Sequence, residues 1–227
     1  MNVAIITAAG SGKRLPGQVK KQFIPIAGKP LLFHTLDVFL NHPDIHRIIV
    51  TLPQEDLEQG TSMISHEYHT DRIKCIPGGQ ERQHSVFNAL QECGSDTEYV
   101  LVHDGVRPFV NHEEITGLLS LAYEKKAVIP VSPVNHTLKK VLDGKVVSTV
   151  SRTDLYQVYT PQVFEYHLLL DSYMKTENAG QIFTDDASIL EYLQIPVHTL
   201  TVSPWNIKVT EPEDVRIAEL IILKGDK

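Results

Sequence analysis

The chain has 227 residues, of which 42% are hydrophobic and 22% charged, a composition typical of a folded globular protein with a sizeable core. Its formal net charge is −7, so we expect neither nucleic acid nor a membrane surface as a partner, because both attract basic faces. No apolar run reaches 18 residues, the start lacks a signal-peptide pattern, and Cys75 and Cys93 form no CxxC pair, all of which predicts a cytoplasmic protein.

The hydrophobic pattern alternates strands with helices through the first half of the chain. The run VAIIT (3–7) is apolar and β-branched, as in a strand that is buried on both faces. The run PLLFHTLDVFLNH (30–42) places Leu32, Leu36 and Phe39 at helical spacing. Further strands are predicted over 47–52, 72–76 and 99–103, and further helices over 54–67, about 81–93 and 113–126. This order predicts an α/β fold with a Rossmann-like, mostly parallel sheet and helices on both faces.

The rhythm then breaks at TLKKVLDGKVVSTV (137–150), where two strand-like runs flank Asp143-Gly144, a strong hairpin signal. After it, helices are predicted near 165–176, 185–193 and 211–223, with a strand near 197–202. We predict a single domain over residues 1–227, from which a β-hairpin arm at about 134–156 projects.

The loop after the first strand combines glycines with four cations, Lys13, Arg14, Lys20 and Lys21, although the protein as a whole is acidic. Open α/β sheets bind ligands at the carboxyl ends of their strands, and glycines let backbone N–H groups approach an anion closely. We therefore expect this loop to bind phosphate groups. The alternative is a solvated basic loop.

Two common phosphate-binding motifs do not fit this loop. A P-loop requires a lysine where the chain has Gln18, and a dinucleotide fingerprint requires a third glycine where the chain has Leu15. A dinucleotide-binding oxidoreductase module therefore remains only as an alternative, which a hydride-transfer assay would separate.

Several short segments carry a more specific signal. AAGSGKR with the following KQF, and GKP before the next helix, resemble the signature of nucleotidyltransferases that join a sugar or polyol phosphate to a nucleoside triphosphate. Five further motifs occur along the chain: PGGQERQHSV (77–86), VHDGVRPF (102–109), TPQVF (160–164), TDDAS (184–188) and NIKVTEPEDV (206–215). Their order and spacing resemble those of the 2-C-methyl-D-erythritol 4-phosphate cytidylyltransferases of the non-mevalonate isoprenoid pathway, over essentially the whole chain.

This resemblance implies that a phosphate oxygen of methylerythritol phosphate attacks the α-phosphorus of CTP and releases pyrophosphate, with Mg²⁺ or another divalent cation as cofactor. The nucleophile is already an anion, so catalysis consists of positioning two anions and neutralising charge in the transition state. A ribitol 5-phosphate cytidylyltransferase is the closest alternative, but the segment SRTDLYQVY before TPQ favours the methylerythritol enzyme. A non-catalytic nucleotide sensor is disfavoured, because Arg14 and Lys21 are both present.

The resemblance also assigns roles to individual residues, and local chemistry is compatible with them. The four catalytic candidates are cations: Arg14, Lys21, Arg152 and Lys208. The nucleotide-binding candidates are Ala8, Ala9, Gly10, Gly12, Gly78, Gly79, Gln80, Arg82, Ser85, Asp104 and Gly105. The acceptor-binding candidates are Asp104, Arg107, Arg152, Thr160, Thr184 and Lys208. Arg152 would come from a neighbouring subunit, which implies a homodimer through the β-arm; the metal ligands stay unknown.

For some residues a structural role is an open alternative. Ser85 either reaches the base or caps a helix, and Arg107 either braces its loop by an ion pair or contacts ligand. We expect Asp185-Asp186 to start a helix, where acids favour the dipole. His103 and Trp205 are expected to be structural, with Trp205 packed.

Overall fold

The structure is a computed structural model that describes residues 1–10, 20–177 and 179–225. Within these ranges the strands are β1 (Asn2–Thr7), β2 (Pro25–Ile26), β3 (Lys29–Pro30), β4 (Arg47–Leu52), β5 (Ile73–Pro77), β6 (Tyr99–Asp104), β7 (Ala127–Pro133), β8 (Leu138–Leu142), β9 (Lys145–Val150), β10 (Tyr156–Val158), β11 (Gln162–Glu165) and β12 (His198–Thr201). The helices are α1 (Leu31–Leu40), α2 (Leu57–Tyr68), α3 (Arg82–Gln91), α4 (His112–Lys125), α5 (Tyr166–Thr176), α6 (Asp186–Tyr192) and α7 (Pro212–Lys224). Short 3₁₀ helices cover Lys21–Phe23 and Gln54–Asp56.

The central sheet has the strand order β5-β4-β1-β6-β11-β7, and β10 and β12 also pair with β7. The pairs β1–β4, β1–β6, β4–β5 and β7–β12 are parallel, whereas β11 runs antiparallel between β6 and β7. The carboxyl ends of the parallel strands therefore meet at one edge, where Thr7 and Asp104 are register partners. The predicted α/β fold with a mostly parallel sheet is confirmed.

Strand β1 shows why the sheet is covered on both faces. Val3, Ala4, Ile5 and Ile6 are all fully buried. Because successive side chains point to opposite faces, Ala4 and Ile6 pack with α1, α2 and α4, while Val3 and Ile5 pack with α3, α5 and α6. The run of apolar residues thus places the end of β1, and the loop that follows it, at the centre of the edge.

The predicted hairpin is confirmed and forms its own two-stranded sheet, β8 with β9. Asp143 and Gly144 turn it with φ of 47° and 75°, the left-handed values that a two-residue type I′ turn requires. Five apolar residues of its strands are exposed: Val141, Leu142, Val146, Val147 and Val150.

Strands β2, β3, β7, β10 and β11 were not predicted. The run AVIPVSP of β7 carries Pro130 and Pro133, and proline lowers the strand signal because it removes a backbone N–H. In the fold, Pro130 instead uses its carbonyl, which accepts the N–H of Tyr159 at 2.9 Å. Strand β11 (QVFE) is short and its two apolar residues are adjacent, so it lacks the alternation that predicts a strand.

Candidate active site

A cavity of about 330 Å³ lies at the carboxyl edge of the sheet, where β1 and β6 end. Its lining brings together ten of the residues predicted from the sequence: Ala8, Ala9, Gly10, Lys21, Gly79, Gln80, Arg82, Ser85, Asp104 and Lys208. Four further lining residues were not predicted: Thr7, Gln22, Glu81 and Val106.

The first loop enters this cavity directly from β1. The N–H of Ala8 donates to the carbonyl of Thr51 at 3.0 Å, which extends the sheet pairing by one residue. Gly12, predicted to bind nucleotide, and Arg14, predicted to act in catalysis, lie outside the described residues. Lys21 begins the 3₁₀ helix and lines the cavity. The neighbouring Lys20 forms ion pairs with carboxylates instead, its Nζ lying 2.7 Å from Asp56 Oδ2 and next to Glu55.

The segment after β5 packs tightly against this loop. A Cβ on Gly78 would lie 2.2 Å from the Cβ of Ala9 and 2.9 Å from Ser85 Oγ, so only glycine allows this approach. The N–H of Gly78 donates to the Leu52 carbonyl at 2.8 Å, and the N–H of Gly79 donates to Ser85 Oγ at 3.0 Å. Both amides are therefore used within the chain, where they fix the wall of the cavity.

The capping alternative for Ser85 is wrong. Helix α3 begins with Glu81 as its N-cap, in a capping box with His84, and Ser85 is the fourth helical residue. Its buried hydroxyl accepts the Gly79 N–H, so Ser85 connects the first turn of α3 to the glycine segment.

Asp104 is the buried acid of the site. Its Oδ2 lies 2.9 Å from Arg107 Nε and 3.0 Å from Lys208 Nζ, and its Oδ1 lies 3.5 Å from Arg82 Nε. Burial by itself raises the pKa of the Asp104 carboxyl, but Arg82, Lys208 and Arg107 outweigh it and hold that pKa well below its ordinary value. Asp104 is therefore ionised and holds three cations in one place.

Arg82 connects Asp104 to a second buried acid. Its Nη2 lies 2.8 Å from Oδ2 of Asp186, whose other oxygen accepts the hydroxyl of Tyr173 at 2.7 Å. Burial disfavours the charged guanidinium, yet Asp186 and Asp104 raise the pKa of Arg82 above its ordinary value. Asp185 caps α6 as predicted, accepting the Ser188 N–H at 3.0 Å, but Asp186 is fully buried in this ion pair.

Arg107 braces its loop by an ion pair, which is one of the two roles predicted for it. Besides the ion pair with Asp104, its Nη1 donates to the carbonyl of Asn206 at 2.8 Å. Its guanidinium carbon lies 5.5 Å from the centre of the Tyr159 ring, within the range of a cation–π contact. Thr160 lies beside this group, because its Oγ1 accepts the N–H of Asp104 at 3.3 Å.

Six predicted residues that the structure describes lie outside the cavity lining: Gly78, Arg107 and Thr160, described above, and Arg152, Thr184 and Gly105. Arg152 is exposed at the base of the hairpin and donates to the carbonyl of Asn135. Thr184 is exposed just before α6. A Cβ on Gly105 would lie 2.9 Å from Leu32 Cδ1, so this glycine serves the close packing of α1 against the end of β6.

Gln22 is a polar residue that the sequence did not single out. It is 1% exposed, and neither Nε2 nor Oε1 has a hydrogen-bond partner in the part of the chain that the structure describes. Leaving a buried amide unpaired costs roughly 1–3 kcal/mol per group. Gln22 belongs to the KQF motif, but no local sequence feature indicated that it has a role other than packing.

A larger groove of about 870 Å³ lies between α1, α4 and α7. Its wall includes Trp205, which is 68% exposed, so the expectation that Trp205 is packed is wrong. None of Lys21, Arg82, Asp104 and Lys208 lines this groove. The charged groups suited to phosphate chemistry converge on the smaller cavity.

No three His, Cys, Asp or Glu side chains within the described ranges converge as a metal site. Nor does any helix in these ranges have the length and apolar character needed to cross a bilayer.

An α/β sheet with cations gathered at its carboxyl edge, beside a glycine-containing loop, suits a protein that binds nucleoside phosphates, and the comparisons identify its class as a nucleotidyltransferase. The family model described as "IspD: 2-C-methyl-D-erythritol 4-phosphate cytidylyltransferase" matches residues 2–224. The chain belongs to this family, which sets aside the oxidoreductase and sensor alternatives.

Individual relatives cover nearly the whole chain. The 2-C-methyl-D-erythritol 4-phosphate cytidylyltransferase of Clostridioides difficile is 40% identical over 222 residues, covering 98% of this chain and 94% of that protein. The protein of the same name from Bacillus mycoides is 42% identical, with 96% of each chain covered. Among solved structures, the 4-diphosphocytidyl-2C-methyl-D-erythritol synthase of Anaerococcus prevotii superposes with a TM-score of 0.86 at 31% identity, covering 98% of both chains.

Proposed function

We propose that this chain transfers the cytidylyl group of CTP to 2-C-methyl-D-erythritol 4-phosphate, giving 4-diphosphocytidyl-2-C-methyl-D-erythritol and pyrophosphate in the non-mevalonate isoprenoid pathway. Membership of the cytidylyltransferase family carries this function. The observation that supports its location is the cluster of Arg82, Arg107 and Lys208 around Asp104. Arg82, Lys208 and Asp104 line the cavity together with Lys21, and Arg107 lies behind them against Asp104.

The reaction is a displacement at phosphorus. An oxygen of the acceptor phosphate forms a bond to the α-phosphorus of CTP, while the bond from that phosphorus to the bridging oxygen of the β-phosphate breaks. Pyrophosphate leaves with the electron pair, and no proton needs to be removed from the nucleophile. The cations therefore act by bringing two anions together and by neutralising charge that develops during transfer.

The proposal gives the predicted residues the roles that the family resemblance implies. The first loop and the glycine segment hold the nucleotide, with Arg14 and Lys21 against the reacting phosphate. Asp104, Arg107 and Lys208 form the acceptor side, to which Thr160 and Thr184 also belong. Lys208 and the partner subunit's Arg152 would neutralise the acceptor phosphate, the lysine as a point charge and the guanidinium by bidentate contact.

A divalent cation, most simply Mg²⁺, would enter with CTP as part of the substrate. Mg²⁺ keeps several waters and prefers phosphate oxygens to a protein cage. This fits a cavity in which both oxygens of Asp104 already face cations. We expect excess chelator to abolish turnover, and full turnover without divalent cations would contradict this part of the proposal.

The chain would work as one nucleotidyltransferase domain in a cytoplasmic homodimer. The exposed apolar side chains of the hairpin provide a surface that a second copy can cover. Both cysteines in the chain are free thiols, as a reducing compartment favours.

The proposal is tested by pyrophosphate release with methylerythritol phosphate as acceptor and each of the four ribonucleoside triphosphates in turn. We expect CTP to be strongly preferred, since a site built to hydrogen-bond one base rejects mismatched bases. Comparable turnover with UTP or ATP would contradict the assignment to a cytidylyltransferase.

A further inference from the structure

Four residues beside Asp104 join through hydrogen bonds of their side chains and backbone carbonyls into a closed cycle. His103 Nε2 lies 3.0 Å from the Arg107 carbonyl oxygen, and Arg107 Nη1 lies 2.8 Å from the Asn206 carbonyl oxygen. Asn206 Nδ2 lies 2.7 Å from the Thr160 carbonyl oxygen, and Thr160 Oγ1 lies 3.0 Å from His103 Nδ1. This cycle, called the His103 cycle below, connects the end of β6 to the loop before α4, the turn before β11 and the loop before α7.

The direction of two of these bonds follows from the chemistry of the partners. A carbonyl oxygen only accepts, so His103 Nε2 must carry the proton that it shares with the Arg107 carbonyl. Burial lowers the pKa of His103 from 6.5 to about 4, so the ring is neutral at pH 7. In a neutral imidazole that is protonated on Nε2, Nδ1 is an acceptor. The Thr160 hydroxyl therefore donates to Nδ1.

This assignment accounts for the only proton that the Thr160 hydroxyl has. The same oxygen accepts the backbone N–H of Asp104 at 3.3 Å, and the side chain is buried. Phosphate oxygens need donors, and Thr160 has no second proton to offer them.

We propose that His103 is a positioning residue for the acceptor side of the site, and that Thr160 acts through it instead of contacting the acceptor phosphate. The inference rests on the proposed role of Asp104, Arg107 and Lys208 in binding the acceptor. The cycle holds the backbone of Asp104 and Arg107 from one side. It also holds Asn206, two residues before Lys208, whose Nζ lies 3.0 Å from Asp104 Oδ2.

The first experiment compares His103→Gln, Thr160→Val and the double variant in steady-state kinetics. Each single change removes a member of the cycle and should raise KM for the acceptor about tenfold, the size of one lost hydrogen bond, with KM for CTP changed far less. Residues that act as one unit are not additive, so the double variant should lose no more than the worse single variant.

His42 provides a matched control. It is also buried, and its ring also faces a carbonyl and a threonine hydroxyl, although here both lie at Nε2: the His112 carbonyl at 3.3 Å and the Thr116 hydroxyl at 3.1 Å. His42→Gln should lower stability without raising KM for the acceptor. An equal rise of KM in this variant would show a general effect of losing a buried histidine, and would overturn the proposal.

A separate measurement does not depend on activity. Nitrogen-15 shifts of the His103 ring in the unmodified, ligand-free protein should show the Nε2-protonated neutral form, and a proton on Nδ1 would overturn the inference. In the kinetics, a loss that multiplies in the double variant would mean that Thr160 contacts the acceptor itself. If the unmodified protein forms no product, the proposed function fails, whereas the ring shifts still test the direction of the cycle.

Discussion

Asp104 attracts the same three cations that a triphosphate and an acceptor phosphate would attract. Before substrates bind, its carboxylate offsets the repulsion among Arg82, Arg107 and Lys208 and keeps them within reach of one another. Cations that are already in place require little reorganisation when charge develops on phosphorus. At the scale of single residues, the site is therefore organised by one buried acid.

Lys21 is expected to act on the chemical step. Removing one electrostatic donor commonly costs about 10²–10³ in rate, so Lys21→Ala should lower kcat steeply, with a smaller change in KM for CTP. Lys20→Ala is the control. Lys20 forms ion pairs with Glu55 and Asp56, and we expect its loss to have only a mild effect on kcat. A rise in KM at constant kcat would make Lys21 a binding residue only.

The buried His103 also predicts how stability depends on pH. Its folded pKa of about 4 lies below the ordinary 6.5, with Asp104 and Arg107 as the charged neighbours, so the unfolded chain binds its proton more readily. The contribution of His103 to stability is complete above pH 6.5 and is lost as the pH falls toward 4, by about 3 kcal/mol in all.

Urea unfolding at pH 7, 5.5 and 4.5 checks this prediction. Relative to its own value at pH 7, His103→Gln should lose less stability than the unmodified protein. His42 remains in both proteins, so the difference between their two pH profiles reports the contribution of His103. Parallel pH profiles would contradict a buried neutral ring at this position.

At the scale of elements, the order of strands and helices could be predicted because each is a long periodic segment. Strand β1 and helix α1 have the apolar spacing of their type, and Asp143-Gly144 has the residue types that a hairpin turn demands. Strand β11 could not be predicted, since its two apolar residues are adjacent and show no alternation, and its position depends on the strands on either side.

The candidate site likewise has a part that could be predicted from the sequence and a part that could not. The loops that carry Lys21, Gly78 and Asp104 could be predicted from local motifs at strand ends. The ion pair of Arg82 with Asp186 joins residues 104 positions apart, and in the sequence each residue belongs to a separate local motif. Such pairs depend on how α3 and α6 pack on the sheet, which local patterns do not determine.

The contact between the loop after β1 and the segment after β5 yields a prediction. Gly78→Ala places a Cβ 2.2 Å from that of Ala9. Because overpacking commonly costs about 1–3 kcal/mol, we expect the free energy of unfolding to fall by that amount. Gly10→Ala is the matched change in the segment that Gly78 packs against, since no described atom lies within 4 Å of its added Cβ. Equal stability of the two variants in urea would show that the segments do not meet as closely as described.

At the scale of the whole molecule, the hairpin is the least self-sufficient part. A two-stranded hairpin is marginal in water, and β8 with β9 leaves four large apolar side chains more than half exposed: Val141, Leu142, Val146 and Val147. A second copy of the same hairpin would cover them in a self-complementary contact. Such a dimer also gives Arg152, which lies outside the cavity of its own chain, a place to act.

The dimer proposal predicts complementation. Arg152→Ala and Lys21→Ala should each be nearly inactive, but mixed dimers of the two would hold one complete site and regain part of the activity. Mass in solution is measured first, followed by turnover after subunit exchange. An active monomer, or verified mixed dimers without recovery, would mean that Arg152 does not act across the interface.

The most direct test of the central claim is a competition for the acceptor. The enzyme receives CTP, Mg²⁺ and equal concentrations of 2-C-methyl-D-erythritol 4-phosphate and ribitol 5-phosphate, and the products are identified by mass spectrometry. We predict 4-diphosphocytidyl-2-C-methyl-D-erythritol as the dominant product, formed in equal amount to pyrophosphate. A predominance of cytidine diphosphate ribitol, or pyrophosphate release without either conjugate, would contradict the account.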